Sequence, residues 1–208
     1  MRKIIAFLIL SFYFNARAQE IEVGFSIGSG ATYLVENLDD DLYVDYSPPV
    51  VLSAEFKYTP ENSFFGIKLK YQNVNGSVEG YDWQIVNNQF PLFIKFSGYV
   101  ETRTIMFLLE HINDDGESKF KIGYNFGIGL TDETFAFDNI GSNKSTDEFT
   151  MINIGGILKY PISSDISLNL SPSFQWNDPL NSLHSERFRM AGEDINLLVE
   201  FGLTYKLN

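Results

Sequence analysis

Strict alternation of apolar and polar residues is the feature that most constrains how this chain can fold. In residues 120–130, large apolar side chains occupy every even position, while Lys, Gly and Asn occupy the odd ones. Successive side chains of a β-strand point to opposite faces, so this period of two predicts a strand with one apolar and one polar face. The same pattern recurs in 21–33, 52–58, 65–71, 152–160, 166–176 and 195–207. The chain is therefore predicted to be all-β.

An eighth strand is predicted at 99–110, where the alternation is weaker. Residues 105–109 are all apolar, so the pattern does not choose a face. Placing Ile105, Phe107 and Leu109 on the apolar face turns the carboxylate of Glu110 towards the polar face, and the opposite assignment is an open alternative.

The connections between these strands alternate in length. Short connections are predicted at 59–62, 111–118 and 161–164, and long ones at 36–47, 74–98, 132–148 and 177–194. Short turns at one end and long loops at the other are typical of bacterial outer-membrane barrels. The connection 74–98 contains two further apolar stretches, 83–86 and 90–96. These form either an external hairpin or two more membrane strands, so ten strands are the alternative to eight.

Volume indicates which face lies outside. Eight strands with roughly five large apolar residues each supply about forty such side chains, whereas an eight-stranded barrel has room for little more than its own packed interior. The apolar face is therefore predicted to meet lipid and the polar face to line the lumen. The predicted fold is an eight-stranded antiparallel up-and-down transmembrane β-barrel. Aromatic residues at the strand ends are predicted to form its interface girdles, namely Tyr33, Tyr58, Tyr71, Tyr160, Trp176 and Tyr205.

Residues 1–18 have the three parts of a secretory signal peptide. Arg2 and Lys3 precede an apolar core at 4–14, and residues 16–18 read Ala-Arg-Ala. Residues 19–208 are then expected to form one barrel domain in the outer membrane of a Gram-negative bacterium, with both termini in the periplasm. The lack of cysteine excludes disulfides and thiolate chemistry, and the formal net charge of −12 argues against nucleic acid as a partner.

The signal peptide, the alternating strands, the asymmetry of turns and loops and the C-terminal strand together resemble small outer-membrane β-barrel proteins of the OmpA and OmpX type and their porin-like relatives. The resemblance covers residues 19–208 and is architectural, since no short motif supports it. It implies contact with outer-membrane lipid and lipopolysaccharide, and recognition of residues 199–208 by the barrel-assembly machinery during biogenesis. The chain departs from the commonest pattern because it ends in Asn208 rather than in an aromatic residue.

Few residues suit catalysis. His111 lies beside a predicted short turn and is interpreted as an interface residue. His184 is followed by Ser185 and Glu186, which invites comparison with outer-membrane lipid hydrolases. A nucleophile needs its base within hydrogen-bond reach and oriented by a third group, and adjacent loop residues rarely meet that requirement. We therefore predict no enzyme, no catalytic residue, no cofactor and no metal site, with a lipid A-modifying enzyme as the least favoured alternative.

The predicted strand phases turn a set of charged residues into the lumen. These are Glu22, Glu55, Lys57, Lys68, Lys70, Glu110, Lys121, Lys159, Glu200 and Lys206. Charges in a narrow lumen must pair, because an unpaired charge loses hydration without compensation. The first interpretation is a network of ion pairs that plugs the barrel, and the alternative is a narrow, anion-favouring channel for small solutes.

The predicted long loops are acidic and contain aromatic residues. The first carries Glu36, Asp39, Asp40, Asp41 and Asp45, whose carboxylates could hold divalent cations although they lack the spacing of a calcium loop. The alternative is a solvated acidic surface. Aromatic residues in the loops could form a recognition surface for another envelope protein or a glycan; they are Tyr43, Tyr46, Tyr81, Trp83, Phe135, Phe137 and Phe188. The predicted function is a structural or surface-interaction role in the outer membrane.

Overall fold

A computed structural model describes residues 20–34, 42–61, 63–86, 90–113, 118–138, 144–179 and 194–207. The strands in these ranges are β1 (Glu20–Leu34), β2 (Leu42–Tyr46), β3 (Val50–Thr59), β4 (Gly66–Val86), β5 (Phe90–Asn113), β6 (Lys121–Phe137), β7 (Lys144–Pro161), β8 (Ile166–Asn177) and β9 (Asp194–Lys206). Over the same ranges, no helix has the length and apolar character needed to cross a membrane. The predicted signal peptide lies outside the described residues.

Eight of these strands form a closed antiparallel barrel. Their order is β3, β1, β9, β8, β7, β6, β5 and β4, and β4 pairs again with β3. The first and last strands join from Glu22 opposite Lys206 to Leu34 opposite Asp194. The predicted eight-stranded antiparallel barrel is thus confirmed, and the alternative of ten strands is wrong.

The apolar and polar residues that alternate in the sequence face the outside and the inside of the barrel, respectively. On β5 the Phe107 side chain is 59% exposed and Glu110 only 3%, so Ile105, Phe107 and Leu109 face outward and Glu110 inward. This is the first of the two assignments considered for this strand. The same division holds around the barrel, because the large apolar residues of the outward rows are exposed or half-buried while most polar residues between them are buried or half-buried.

Strands β4 and β5 run well beyond the region where alternation predicts strands. Their pairing continues without a break from Gly66 opposite Glu110 to Val86 opposite Phe90. The apolar stretches 83–86 and 90–96 are therefore the outer end of this hairpin and not a separate pair of membrane strands. Strands β6 and β7 likewise stay paired to Ala136 opposite Lys144. Much of the predicted loops 74–98 and 132–148 is strand, because a hydrogen-bonded ladder can extend without a lipid-facing apolar row.

The ninth strand, β2, continues the line of β3 after an interruption. Both strands pair with β4, β3 up to Asn75 and β2 from Val78 to Asp82. The break falls at Ser47–Pro49, where prolines cannot donate ladder hydrogen bonds. The backbone N–H of Ser47 bonds to the carbonyl of Ser77 at 3.0 Å, which keeps the two segments aligned. Part of the predicted loop 36–47 is thus an added strand of the external sheet.

Beyond the barrel, the extended strands enclose an apolar core on their inner side. We call Val44, Val78, Phe96, Val100 and Phe135 the outer apolar cluster; all five are buried, and Tyr46 packs against them. Their burial stabilises the outer ends of β2, β4, β5 and β6 as one sheet.

Candidate functional site in the barrel interior

Alternation on the barrel strands carries charged residues into the interior. Glu22, Lys57, Lys68, Lys70, Glu110, Lys159 and Glu200 are all buried, and Glu55 is half-buried. They come from six different strands, so closure of the barrel is what brings them together.

A continuous chain of ion pairs lies near the end of the barrel that carries the termini. Lys57 Nζ lies 3.0 Å from Glu22 Oε2 and 2.9 Å from Glu110 Oε1. Lys68 contacts Glu110 and lies 2.9 Å from Glu55 Oε2. Lys159 contacts the other oxygen of Glu22 and extends the chain to β7. Each of these three lysines is thus compensated by at least one buried or half-buried carboxylate.

A second layer is centred on Glu200. Its carboxylate contacts Lys70 and accepts hydrogen bonds from Ser53 Oγ at 2.5 Å, Ser26 Oγ at 2.7 Å and Gln72 Nε2 at 3.0 Å. Several donors therefore compensate one carboxylate that is removed from water. Lys70 and Glu200 come from β4 and β9, which lie three places apart in the barrel order, so their contact crosses the lumen.

Amide side chains complete this second layer. Gln175 Nε2 donates to Gln72 Oε1 at 2.9 Å, and Asn153 Nδ2 donates to Asn125 Oδ1 at 2.8 Å. Gln72 on β4 and Gln175 on β8 lie on opposite walls, four places apart in the barrel order. These buried amides were not among the predicted site residues, which were charged only, although the same alternation places them inside.

Apolar side chains share the interior with the ion pairs. Leu108 and Met106 stand directly opposite Lys68 and Lys70 in the β4–β5 ladder and form one buried cluster with Met151. Val51, Val74 and Leu198 form another cluster farther towards the outer end. Farther out lie buried acidic residues that the sequence predicted as loop residues or strand ends. Glu133 accepts a hydrogen bond from Thr102 Oγ1 at 3.0 Å, and Asp194 one from Tyr46 Oη at 3.4 Å. Asp178 is also fully buried, and its φ of 42° marks the sharp end of β8.

Two of the predicted lumen lysines lie at the rim. Lys206 Nζ pairs with Glu20 Oε2 at 3.1 Å, with side chains that are 36% and 40% exposed. Lys121 stands directly opposite Lys159 in the β6–β7 ladder and lines a cavity of about 180 Å³ at the barrel mouth, beside Lys57. Lys206 therefore pairs at the exposed rim and not within the buried ion-pair chain.

The remaining predicted residues fall outside the lumen or outside the described ranges. Of the six girdle residues, Tyr33, Tyr71 and Tyr205 are exposed on the barrel exterior, and the others, Tyr58, Tyr160 and Trp176, are half-buried. The loop candidates Glu36, Asp39, Asp40, Asp41, Trp83 and Phe188, as well as His184, Ser185 and Glu186, have no described side chain. Asp45 is described and exposed, on β2.

The predicted loop aromatics that are described lie on strands. Tyr43 and Tyr81 stack with ring centroids 5.3 Å apart, while Phe135 is fully buried. His111 donates a hydrogen bond from Nδ1–H to the carbonyl oxygen of Phe64 at 2.6 Å, and its ring packs near Phe65 and Tyr124. Within the described ranges, no group of three or more metal-ligating residues has a geometry that would hold a metal ion.

No family model and no curated protein matches this sequence. Its fold, however, is similar to solved structures. Neisserial surface protein A (NspA) has a TM-score of 0.61 at 8% identity, over 92% of this chain and 100% of that one. A major outer membrane protein from Thermus thermophilus has 0.57 at 10% identity, over 92% and 100%. OprG from Pseudomonas aeruginosa has 0.51 at 11% identity, over 93% and 98%. At these identities the likeness shows the fold alone, which is that of small outer-membrane β-barrels.

Proposed function

We propose that this chain is an integral outer-membrane barrel whose lumen is plugged by its own side chains and whose outer end serves surface interactions. The barrel exterior supports the membrane setting, since Phe25, Phe107 and Leu130 are each more than half exposed. Exposing such a belt to water would be unfavourable, whereas contact with lipid is not. The fold likeness to outer-membrane proteins supports the same setting. Outer-membrane lipid and lipopolysaccharide would surround this belt.

The observation that carries the proposed plug is the set of contacts that cross the interior between strands that are not neighbours. Gln72 meets Gln175 from the opposite wall, while Lys70 meets Glu200 and Lys159 meets Glu22 from strands three places apart. An ion that crosses this region would have to break buried pairs between charged groups, and each broken pair leaves a charge without compensation. A structural, non-conducting barrel therefore fits better than a narrow channel.

Single-channel recording tests the plug. We expect the purified protein, inserted into planar bilayers, to show no discrete conductance steps, because the lumen charges are held in pairs. A general porin serves as the positive control for insertion and recording. Reproducible steps with anion selectivity would favour the alternative, a narrow channel for small solutes.

The proposed orientation places both termini and the short turns in the periplasm. The last strand, β9, closes the barrel against β1, which suits recognition of residues 199–208 by the barrel-assembly machinery. The extended ends of β4 to β7 then project outside the cell. There the sheet presents Tyr43, Tyr81, Asp45 and Glu79 on its exterior, a mixed aromatic and acidic surface that suits an envelope protein partner. No catalytic role is proposed.

Site-directed labelling tests this orientation, and the lack of cysteine makes the background clean. In intact cells, a membrane-impermeant maleimide is expected to label Glu79→Cys, on the extended β4, and not Asp165→Cys, in the short turn before β8. Both variants should be labelled after the cells are opened. The reverse pattern would show that the extended sheet faces the periplasm. A cross-linker on Glu79→Cys can then capture the expected surface partner.

A further inference from the structure

The mouth of the barrel beside the chain termini contains a small cavity. It has a volume of about 180 Å³ and lies among residues of β1 and of β3 to β7. We call it the vestibule and define it by its charged lining, which consists of Lys57, Lys121, Lys159, Glu20 and Glu110. Lys57, Lys159 and Glu110 are buried members of the ion-pair chain. The inner wall of the vestibule is therefore that chain.

The vestibule and the ion pairs behind it carry a net positive charge. Among the described residues, the lining and its ion-pair partners contain one more lysine than glutamates. The lysines are Lys57, Lys68, Lys121, Lys159 and Lys206, and the glutamates are Glu20, Glu22, Glu55 and Glu110. Positive charge in a cleft with low-dielectric walls attracts anions more strongly than the same charge on an open surface. The charge of the vestibule thus favours an anionic occupant.

Two of these lysines have an electrostatically unfavourable arrangement. Lys121 stands directly opposite Lys159 in the β6–β7 ladder, and both side chains line the vestibule. Like charges in that relation repel each other. Lys159 contacts Glu22, but that carboxylate also pairs with Lys57 at 3.0 Å. An anion placed between Lys121 and Lys159 would replace their repulsion by two attractions.

A hydroxyl and a glycine in the wall of the vestibule point independently to a bound oxygen atom. Thr59 Oγ1 lines the vestibule, is shielded from solvent and has no hydrogen-bond partner within the described residues. Buried hydroxyls are normally hydrogen-bonded, and this one can donate to an oxygen placed beside it. The space beside it exists because residue 66 has no side chain. A Cβ on Gly66 would lie 2.7 Å from Lys57 Cε and 2.9 Å from Thr59 Oγ1.

We infer that the vestibule binds a small oxyanion, the class that includes phosphate and short carboxylates. Lys121 and Lys159 would contact its charged oxygens, and Thr59 would donate a hydrogen bond to one of them. The vestibule is smaller than the pockets of about 300–1,000 Å³ that hold drug-sized ligands, so its occupant has few atoms. The oxyanion would enter from the periplasm and stop at the ion pairs. The side of entry rests on the proposed orientation, and the lack of passage rests on the proposed plug.

Titration calorimetry of the full barrel in a non-ionic detergent tests the inference. The probes are sodium phosphate and, separately, sodium acetate, with sodium chloride at the same ionic strength as the reference. We expect one oxyanion to bind per barrel, more tightly than chloride, and the tighter of the two probes identifies the source of the oxyanion. Lys121→Gln should weaken binding about 10- to 100-fold, as expected for loss of a charged hydrogen-bond partner. Gly66→Ala should also weaken it, because its methyl group fills the space beside Thr59.

The matched control is Lys119→Gln. Lys119 is exposed and is not part of the vestibule lining, although it lies only two residues before Lys121. Its substitution removes the same charge from the same end of the molecule. This variant should bind the oxyanion as the wild type does, which separates a formed site from general attraction to a positive surface.

Three results would overturn the inference: binding of both oxyanions no tighter than that of chloride, unchanged binding in Lys121→Gln, or an equal loss in Lys119→Gln. Each variant is first checked for the heat-modifiable gel mobility of a closed barrel, and Lys121→Gln decides the outcome if Gly66→Ala does not fold. A wild type that shows no conductance and binds no oxyanion would overturn the vestibule site and leave the proposed function standing. Oxyanion binding together with conductance steps would overturn the plug and leave the site.

Discussion

Replacing Glu200 by alanine is expected to lower the free energy of unfolding by about 3–5 kcal/mol. This carboxylate is 1% exposed, contacts Lys70 and accepts hydrogen bonds from Gln72, Ser26 and Ser53. Its removal leaves the ammonium of Lys70 buried without the carboxylate that compensates it, and three neutral donors lose their acceptor. Urea unfolding of the barrel in lipid vesicles, followed by tryptophan fluorescence, measures the change.

Two comparisons make the result specific to the buried charge. Adding Lys70→Met to Glu200→Ala should recover part of the lost stability, because the uncompensated ammonium is removed as well. Lys206→Gln breaks a pair with Glu20 in which both side chains are more than one third exposed, and it should cost less than about 1 kcal/mol. Equal losses at the two pairs would contradict the conclusion that Glu200 is compensated inside a closed lumen.

Gly127→Ala is expected to destabilise the barrel by at least about 1–3 kcal/mol and to reduce the folded fraction. A Cβ on Gly127 would lie 1.9 Å from the carbonyl oxygen of Phe107 and 2.9 Å from the Cα of Leu108, on the neighbouring strand β5. Both are backbone atoms, so no side-chain rotation relieves the clash and the β5–β6 ladder itself must shift. The heat-modifiable band on gels, quantified after refolding into vesicles, reports the folded fraction.

Gly156→Ala, on the next strand, is the matched control. The nearest atom to its Cβ would be Pro172 Cγ at 3.4 Å, which is tolerable with little movement. We expect this variant to fold as the wild type does, within about 0.5 kcal/mol. If Gly127→Ala also folds with wild-type stability, the close approach of β5 and β6 at that glycine is not required for closure.

The sequence predicted which way each strand's side chains point, because alternation is a local property. It placed Lys57, Lys70 and Glu200 on the polar face and Phe201 on the apolar face, and the structure has them so. Only on β5 did the apolar run 105–109 leave both assignments open, and there the structure has the first of them. Volume then indicated that the apolar face lies outside, and the many exposed apolar side chains on the barrel exterior show that it does. The same alternation places Gln72 and Gln175 inside. Their hydrogen bond across the lumen was not predicted, because only charged residues were considered as lumen candidates.

Strand length was less predictable than strand phase. The outer halves of β4 and β5 were predicted as a long loop, since Asn75, Ser77 and Glu79 break the outward apolar row after Tyr71 on β4. Glu133 read as a loop carboxylate and is instead buried on β6. Strand β2 was not predicted either, because the prolines before β3 indicated a loop at this point. These segments are strands because they extend ladders begun in the barrel, and a ladder is a relation between segments that no single segment displays.

The ion pairs show most clearly what the sequence determines and what only the tertiary structure determines. The period of two along each strand places lysines and glutamates of this chain in one interior. It does not determine which of them form pairs, because Lys159 and Glu22 are 137 residues apart and Lys70 and Glu200 are 130 apart. Their contacts depend on the order of the strands, the register of each ladder and the closure of β9 on β1. Local alternation therefore assigns each charge to a face, and only the closed barrel gives it a partner, since the distance between opposite walls is a property of the whole molecule.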